Sequence, residues 1–448
     1  MPSVCFYFQV HQPTRLKFRC WEWANRAEDY FDNEANRAIM RKVADKCYLP
    51  ANETMLRLIE KHKGEFKISY AITGVCLEQM ELYTPEVIES FQKLVDTGCV
   101  ELVGETYYHS LAACYDEQEF KEQVQAHARI TKRLFNYEPK VFRNTELIYD
   151  DNIGRMVSEM GYKGILAEGP DDIMEWRNPN LVYTVPSQEM RILTKNYKLS
   201  DDIAFRFSNR GWAEYPLTAD KFAYWLHEQT GEQQVVNLFM DYETFGEHQW
   251  EDTGIFQFLE HLPEKIFANC WWNFKTPSEV IDTYQPKAEL SFPRTTSWAD
   301  MERDLTAWRG NSMQQRSLER AFGLGEQVRE AGDPELLHTW RKLLTSDHFY
   351  YMCTKWFSDG DVHAYFSPFD NPYDAFVAFA NVVSHFEEQA LRGVDAESQE
   401  CVEIVETKGS LELEVEGLAK DISEGNPENV FSHSAFKSFF GRNQRKGK

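Results

Sequence analysis

The segment VVNLFMDYETFGEHQW, Val235–Trp250, decides how the rest of the chain is read. Val235, Val236, Leu238, Phe239 and Met240 make an apolar run too short for a helix and bounded by turn-forming residues, which predicts a buried strand. Asp241, Glu243, Glu247 and His248 crowd its end, and Gly246 gives the backbone freedom to turn there. A strand fixes position while the loop after it admits a ligand, which is how barrel enzymes present catalytic groups. An acidic loop in an acidic protein is the plainer alternative. A second segment, VFRNTELIYDD at Val141–Asp151, repeats the design with Glu146 just past a short apolar start.

Working outward, strands are expected at Val4–Phe8, Phe66–Ile72, Val100–Val103, Gly164–Ala167 and Asp201–Phe207. Helices are expected between them: Glu53–His62 with Asn52 as N-cap, Pro85 to Gly98, Asp116–Phe135, Ile153–Met160 and Ala219–Gln229. Such alternation favours a parallel sheet, closed as a barrel or open and doubly wound. Pro13 stops the first strand and leaves His11 at its mouth. His11, Glu105, Glu146 and Asp241 all fall just after strands, on the face where barrels place their sites.

The character changes near Pro286–Pro293. Ser291–Asn311 is mixed and aromatic, and Gln314–Leu344 and Pro372–Leu391 read as helices. The expected division is a catalytic domain over 1–290, a helical bundle region over 291–395 completing the active-site cleft, and a charged C-terminal extension over 396–448 with a basic end. Trp271 and Trp272 lie in an apparent helix and read as packing rather than as a sugar platform.

With 72 acidic against 48 basic residues, the chain carries a net charge of −24, which argues against nucleic acid or an anionic membrane as partner. A neutral or cationic substrate fits better. Aromatic residues make up 14% of the chain, enough to supply flat faces for sugar rings beyond those used in packing. The nine cysteines are scattered, with no pair at metal-finger spacing, so reduced thiols are expected. Cys5, Cys76 and Cys99 sit in apolar contexts suited to a core. Met1–Val10 has no export signal and no segment approaches membrane-spanning length, so the expected location is cytoplasmic.

Two carboxylates from separate strand ends, one ionised and one protonated, are what glycoside cleavage with retention requires. Burial and neighbouring charges must push their pKa values apart. Arg143 is placed to keep Glu146 charged, and Phe239, Tyr242 and Glu243 to raise Asp241.

The ordered set of motifs resembles glycoside hydrolase family 57. His11-Gln12-Pro13, Gly98–Gly104, Arg143–Tyr149, Met240–Gly246 and Ser346-Asp347-His348 correspond to the family's five short regions, across about residues 4 to 385. Ser297–Asn311 is similar to the helical part that follows the barrel in α-amylase-like members. The resemblance implies a distorted (β/α)7 TIM-like barrel followed by a C-terminal helical region, no cofactor and no metal. It also implies an α-1,4-glucan or maltooligosaccharide substrate cleaved by double displacement, with Glu146 as nucleophile and Asp241 as acid and base. His11, Glu105, Arg143, Glu243, Trp298, Asp347 and His348 are the expected substrate-binding residues. Two departures are evident: Arg143 stands where the family often has Trp, and Tyr242 where it often has a small residue.

Three other readings stay open. Transfer to a sugar hydroxyl would make the protein a 4-α-glucanotransferase with the same site. His11, His109, Asp241 and His248 could instead ligate zinc in a metal-dependent deacetylase-like enzyme. A catalytically silent glucan-binding protein would keep the pocket without turnover.

Overall fold

The computed structural model describes residues 1–19, 27–229, 231–355 and 367–395. The extension expected at 396–448 lies outside the described residues. Eight strands matter here: β1 Ser3–Val10, β2 Ile68–Ile72, β3 Val100–Leu102, β4 Val141–Arg143, β5 Gly164–Ala167, β6 Val182–Thr184, β7 Arg191–Thr194 and β8 Val235–Asp241. All but β6 run parallel, in two arcs: β3-β2-β1-β8, and β4-β5-β7 with antiparallel β6 on its edge.

The arcs meet at two thin seams. At one, the Gly104 N–H donates to the Val141 carbonyl at 2.9 Å and the Arg143 N–H to the Gly104 carbonyl at 2.8 Å. At the other, the Asn196 N–H donates to the Asn237 carbonyl at 2.9 Å, and the Asn237 amide to the Thr194 carbonyl at 2.9 Å. Seven parallel strands thus close a distorted (β/α)7 TIM-like barrel. The distortion lies where the segment leading into β6 wedges between the end of β7 and the start of β8, with the Asn180 carbonyl accepting from the N–H groups of Gln234 and Val235.

Strands covered on both faces read as continuous apolar runs, which is why SVCFYFQV and VVNLFMD carry few polar residues. Alternate side chains still separate. Cys5 and Tyr7 of β1, Val141 of β4, Leu166 of β5, Leu193 of β7 and Val235 and Phe239 of β8 fill the barrel interior. Phe6 and Phe8 face outward into a core shared with the helices at Leu49–Lys61, Pro85–Asp96 and Ile255–Phe267. On the other flank Phe142, Ile165 and Ile192 pack into a second core with Trp308, Trp340, Phe349 and Phe379 from the C-terminal helical region. Among the described residues, no helix is long and apolar enough to cross a membrane.

Several expectations are corrected. Asp201–Phe207 is not a strand: the helix Tyr197–Ala204, capped by Asn196, ends inside it and buries Leu199 and Ile203 one turn apart, leaving Phe205 exposed. The strand of this region is Arg191–Thr194. Asn52 is no N-cap but lies inside the helix Leu49–Lys61, its amide bridging Ser90 and Tyr242. The stretch Gln314–Leu344 breaks into helices at Ser312–Gly323, Gly325–Ala331 and Pro334–Leu343. Trp271 and Trp272 follow the helix Ile255–Phe267 rather than lying in one, with Trp271 exposed and Trp272 buried.

Candidate active site

The inward rows of side chains continue past the strand ends and become polar. Gln9, Glu105, Arg143, Glu168, Lys195 and Asp241 each follow, two residues on, an apolar side chain of the barrel interior: Tyr7, Val103, Val141, Leu166, Leu193 and Phe239. The β1–β8 register pairs Gln9 with Asp241. The site is therefore the uppermost inward layer of the barrel, at the C-terminal ends of the strands.

Glu146 is delivered by a tight turn after β4. Glu146 and Leu147 both take left-handed backbone, with φ of 57° and 51°. Such conformations cost on the order of 1–3 kcal/mol each and persist where packing enforces them. Here Leu147 is buried in the barrel interior and the Asn144 amide ties back to the Ile148 carbonyl at 3.0 Å. The Glu146 carboxylate lies 3.2 Å from His109 Nε2, accepts from Ser346 Oγ at 3.3 Å, and takes the Trp298 indole N–H at 2.7 Å. Burial pushes its pKa up, but the His109 hydrogen bond and the charges of His109 and Arg143 prevail and hold it below its ordinary value.

Asp241 ends β8. No described residue donates a hydrogen bond to its carboxyl group. Burial, then the charge of Glu146, raise its pKa to about 6 against the pull of Arg143, Lys195 and His109. One carboxyl is thus held ionised and the other shifted toward protonation.

His11 Nδ1 lies 2.8 Å from Thr73 Oγ1 and its Nε2 3.0 Å from Asp347 Oδ2, while its ring stacks on His109 at 4.0 Å between centroids. Burial raises Asp347, but His11 outweighs it and holds the carboxyl far below its usual range. Glu146, Asp347 and His11 side chains remain 20%, 18% and 10% exposed, so solvent reaches all three. Trp298 packs against the barrel interior and carries the Arg143 guanidinium over its ring at 4.7 Å. Arg143 is fully buried; its nearest carboxylate is Glu105 at 4.0 Å, and its three guanidinium nitrogens make no hydrogen bond to a described residue.

Other expected binding residues are placed differently. Glu105 is completely buried behind His109, held by both contacts of Gln9 Nε2 at 3.2 Å. Glu243 points under Asp241, where it accepts from Tyr48 and Gln12; burial and the Asp241 charge push its pKa up to about 8. His348 stands behind Asp347 with Nε2 3.2 Å from the Lys342 carbonyl and its ring against Phe379.

Among the described residues, one group of three, His11, His109 and Asp347, brings its metal-ligand atoms all within 4.8 Å of one another. The nitrogens of His11 already face Thr73 and Asp347, and those of His109 face Glu105 and Glu146, so we assign no metal there. His248, considered as a ligand from sequence, is half-buried next to Glu247 in the following loop.

Sequence reading missed Lys195, Glu168, Arg303 and Asp201. Lys195 Nζ lies 3.1 Å from Asp201 and 3.7 Å from Glu168, and Arg303 lies 3.2 Å from Glu168. Lys195 also sits 5.4 Å over the Trp298 ring. Glu168 could have been found, since it directly follows the strand GILA.

Glycosyl hydrolase family 57 matches residues 5–293. This chain belongs to that family. A "Putative alpha-amylase" of Methanocaldococcus jannaschii is 44% identical over 396 residues, 86% of this chain and 84% of its own. A family 57 branching enzyme of Thermococcus kodakaraensis has the same fold at 13% identity, with a TM-score of 0.63 over 91% of this chain and 93% of that one. A 4-alpha-glucanotransferase of Thermococcus litoralis aligns at 16% identity with a TM-score of 0.53, over 84% of this chain. The family 57 chain described here spans 55% of that glucanotransferase's length.

Proposed function

We propose that this family 57 protein is a retaining α-glucan hydrolase of α-amylase type, with Glu146 as nucleophile and Asp241 as acid and base. The observation that carries the reading is that the turn after β4 and the end of β8 bring two carboxyl groups to the same mouth of the barrel, with the Glu146 carboxylate held by His109, Ser346 and Trp298 and the Asp241 carboxyl left without a donor among the described residues. The Asp241 carboxyl gives its proton to the glycosidic oxygen while the Glu146 carboxylate attacks the anomeric carbon; the C–O bond breaks and the leaving sugar departs as an alcohol. The Asp241 carboxylate then takes a proton from water, whose oxygen attacks the same carbon and displaces Glu146. His11, Asp347 and Trp298 hold the sugar ring in this reading, and residues 291–395 complete the site around the barrel of residues 1–290. The name of the M. jannaschii relative supports the amylase assignment.

Product analysis on maltooligosaccharides and soluble glucan tests this, following the anomer by NMR for the intact protein, Glu146→Gln and Asp241→Asn. Shorter products of retained α configuration, absent from both variants, are expected. Longer products would move the assignment to a glucanotransferase, the activity named for the T. litoralis structure. No turnover on any α-glucan would overturn it, and chelator-sensitive deacetylation or glucan binding without turnover would then replace it.

A further inference from the structure

Glu105 poses a problem that the double-displacement mechanism leaves unanswered. A carboxylate with no exposed surface cannot touch a sugar, yet it lies one residue away from the nucleophile in the contact network. Its oxygens face inward, toward Gln9, Arg143 and His109. Its own backbone N–H reaches His127 Nδ1 at 3.4 Å, and the other ring nitrogen of His127 lies 2.9 Å from the Ile72 carbonyl, so this end of the network is tied to β2.

His109 is the connection. Its Nδ1 lies 3.5 Å from Glu105 Oε2 and its Nε2 3.2 Å from Glu146 Oε1. An imidazole whose two nitrogens both face carboxylates can donate to both only as the imidazolium. The ring is also fixed in place. His109 has left-handed backbone with φ of 52°, its carbonyl accepts from the Ser346 N–H at 2.8 Å, and the ring stacks on His11.

We propose that Glu105 and His109 form a positioning relay for the nucleophile, in which buried Glu105 holds His109 as a cation and His109 keeps the Glu146 carboxylate charged and aimed. The relay rests on the assignment of Glu146 as nucleophile. Both residues are positioning residues, and Glu105 acts through His109 rather than on substrate.

The groups around His109 pull in both directions. Arg143 from β4 and His11 from β1 disfavour a second positive charge, as does burial. Glu105 from its own loop, Glu146 from the turn after β4 and Asp347 from the helix Ser346–Tyr350 favour it, with Asp241 coupled across the barrel mouth. Burial lowers the His109 pKa, but the close Glu105 carboxylate, 3.5 Å from Nδ1, and the hydrogen bond to Glu146 outweigh it and raise the value to about 9. The geometry and the charge balance agree.

The test combines histidine NMR with pH–rate profiles on the full-length protein. In the parent, one imidazole resonance, absent from His109→Gln, is expected to titrate above pH 8, and Glu105→Gln should lower its midpoint by at least about one pH unit. The acid limb of kcat/KM, which reports Glu146 ionisation, should move up by at least about one unit in His109→Gln and in His109→Asn. The loss in the Glu105→Gln/His109→Gln double variant should be smaller than the product of the two single losses, because both residues act on Glu146 through the same imidazole. A His109 resonance that ignores Glu105→Gln, an unmoved acid limb, or losses that multiply in the double variant would each overturn the relay. Glu146→Gln separates the two ideas: if it keeps turnover, the nucleophile assignment fails, and if it is inactive while the limb stays put, the relay alone fails.

Discussion

Replacing Asp241 by Asn should stabilise the fold while removing activity, and the stabilisation should depend on pH in a defined way. Burial and the Glu146 charge raise the Asp241 pKa from 3.8 to about 6. Between those values the folded state holds a proton that the unfolded state has already released, so stability falls as pH rises through the window and stays low above it. At about 1.4 kcal/mol per pH unit, the full difference is about 3 kcal/mol. Asn has no proton to lose and nearly the same shape. The advantage of Asp241→Asn over the parent should therefore be near zero at pH 3.5 and grow to about 3 kcal/mol by pH 7. Urea unfolding midpoints of both proteins across that range give the measurement, with the slope checked for constancy. Equal stability at all pH values, or an advantage that shrinks as pH rises, would refute the claim that Asp241 is held protonated by its surroundings.

Other outcomes follow from the same geometry. kcat/KM should be bell-shaped and acidic, with an alkaline limb near pH 6 from Asp241 and an acid limb below 4.5 from Glu146, both read from initial rates. Trp298→Phe keeps the ring but removes the 2.7 Å indole hydrogen bond to Glu146. A hydrogen bond to a charged group is worth about 1.5–3 kcal/mol, so kcat/KM should fall about 10- to 100-fold with unchanged circular dichroism. Gly246→Ala should destabilise by more than about 3 kcal/mol in thermal unfolding: the residue has φ of +113° and an added Cβ would lie 2.0 Å from the Lys46 carbonyl oxygen.

The barrel was legible because doubly covered strands need long apolar runs, and β1 and β8 supply eight- and seven-residue examples. Asp241 was legible for the related reason that a polar residue at the end of such a run stands out, and Glu146 because VFRNTELIYDD repeats the pattern after a short apolar start. Lys195 was hidden because its strand, RILT, is only four residues long and lies in irregular sequence. DDIAFRF misled because Ile203, Phe205 and Phe207 alternate as in a strand, yet Phe205 is exposed and the N-cap that starts the helix is Asn196, outside the segment. Sequence adjacency also says little about direction: Asp347 meets His11 while its neighbour His348 points the other way. The bond from Trp298 to Glu146 spans 152 positions, a separation at which local pattern carries no signal.

The two seams divide the labour of the site. Asp241, His11 and Glu105 ride on the arc β3-β2-β1-β8, whereas Glu146, Glu168 and Lys195 ride on the arc β4-β5-β7. The proposed nucleophile and acid thus belong to separate halves of the wall, joined by a handful of hydrogen bonds. In retaining enzymes the carboxyl separation is tightly set, and an error of about 1 Å can cost on the order of 100-fold in rate. The joint between the halves works as the gauge of a caliper. Warming that loosens either seam should silence turnover while each arc keeps its strands, so loss of activity should precede loss of ellipticity.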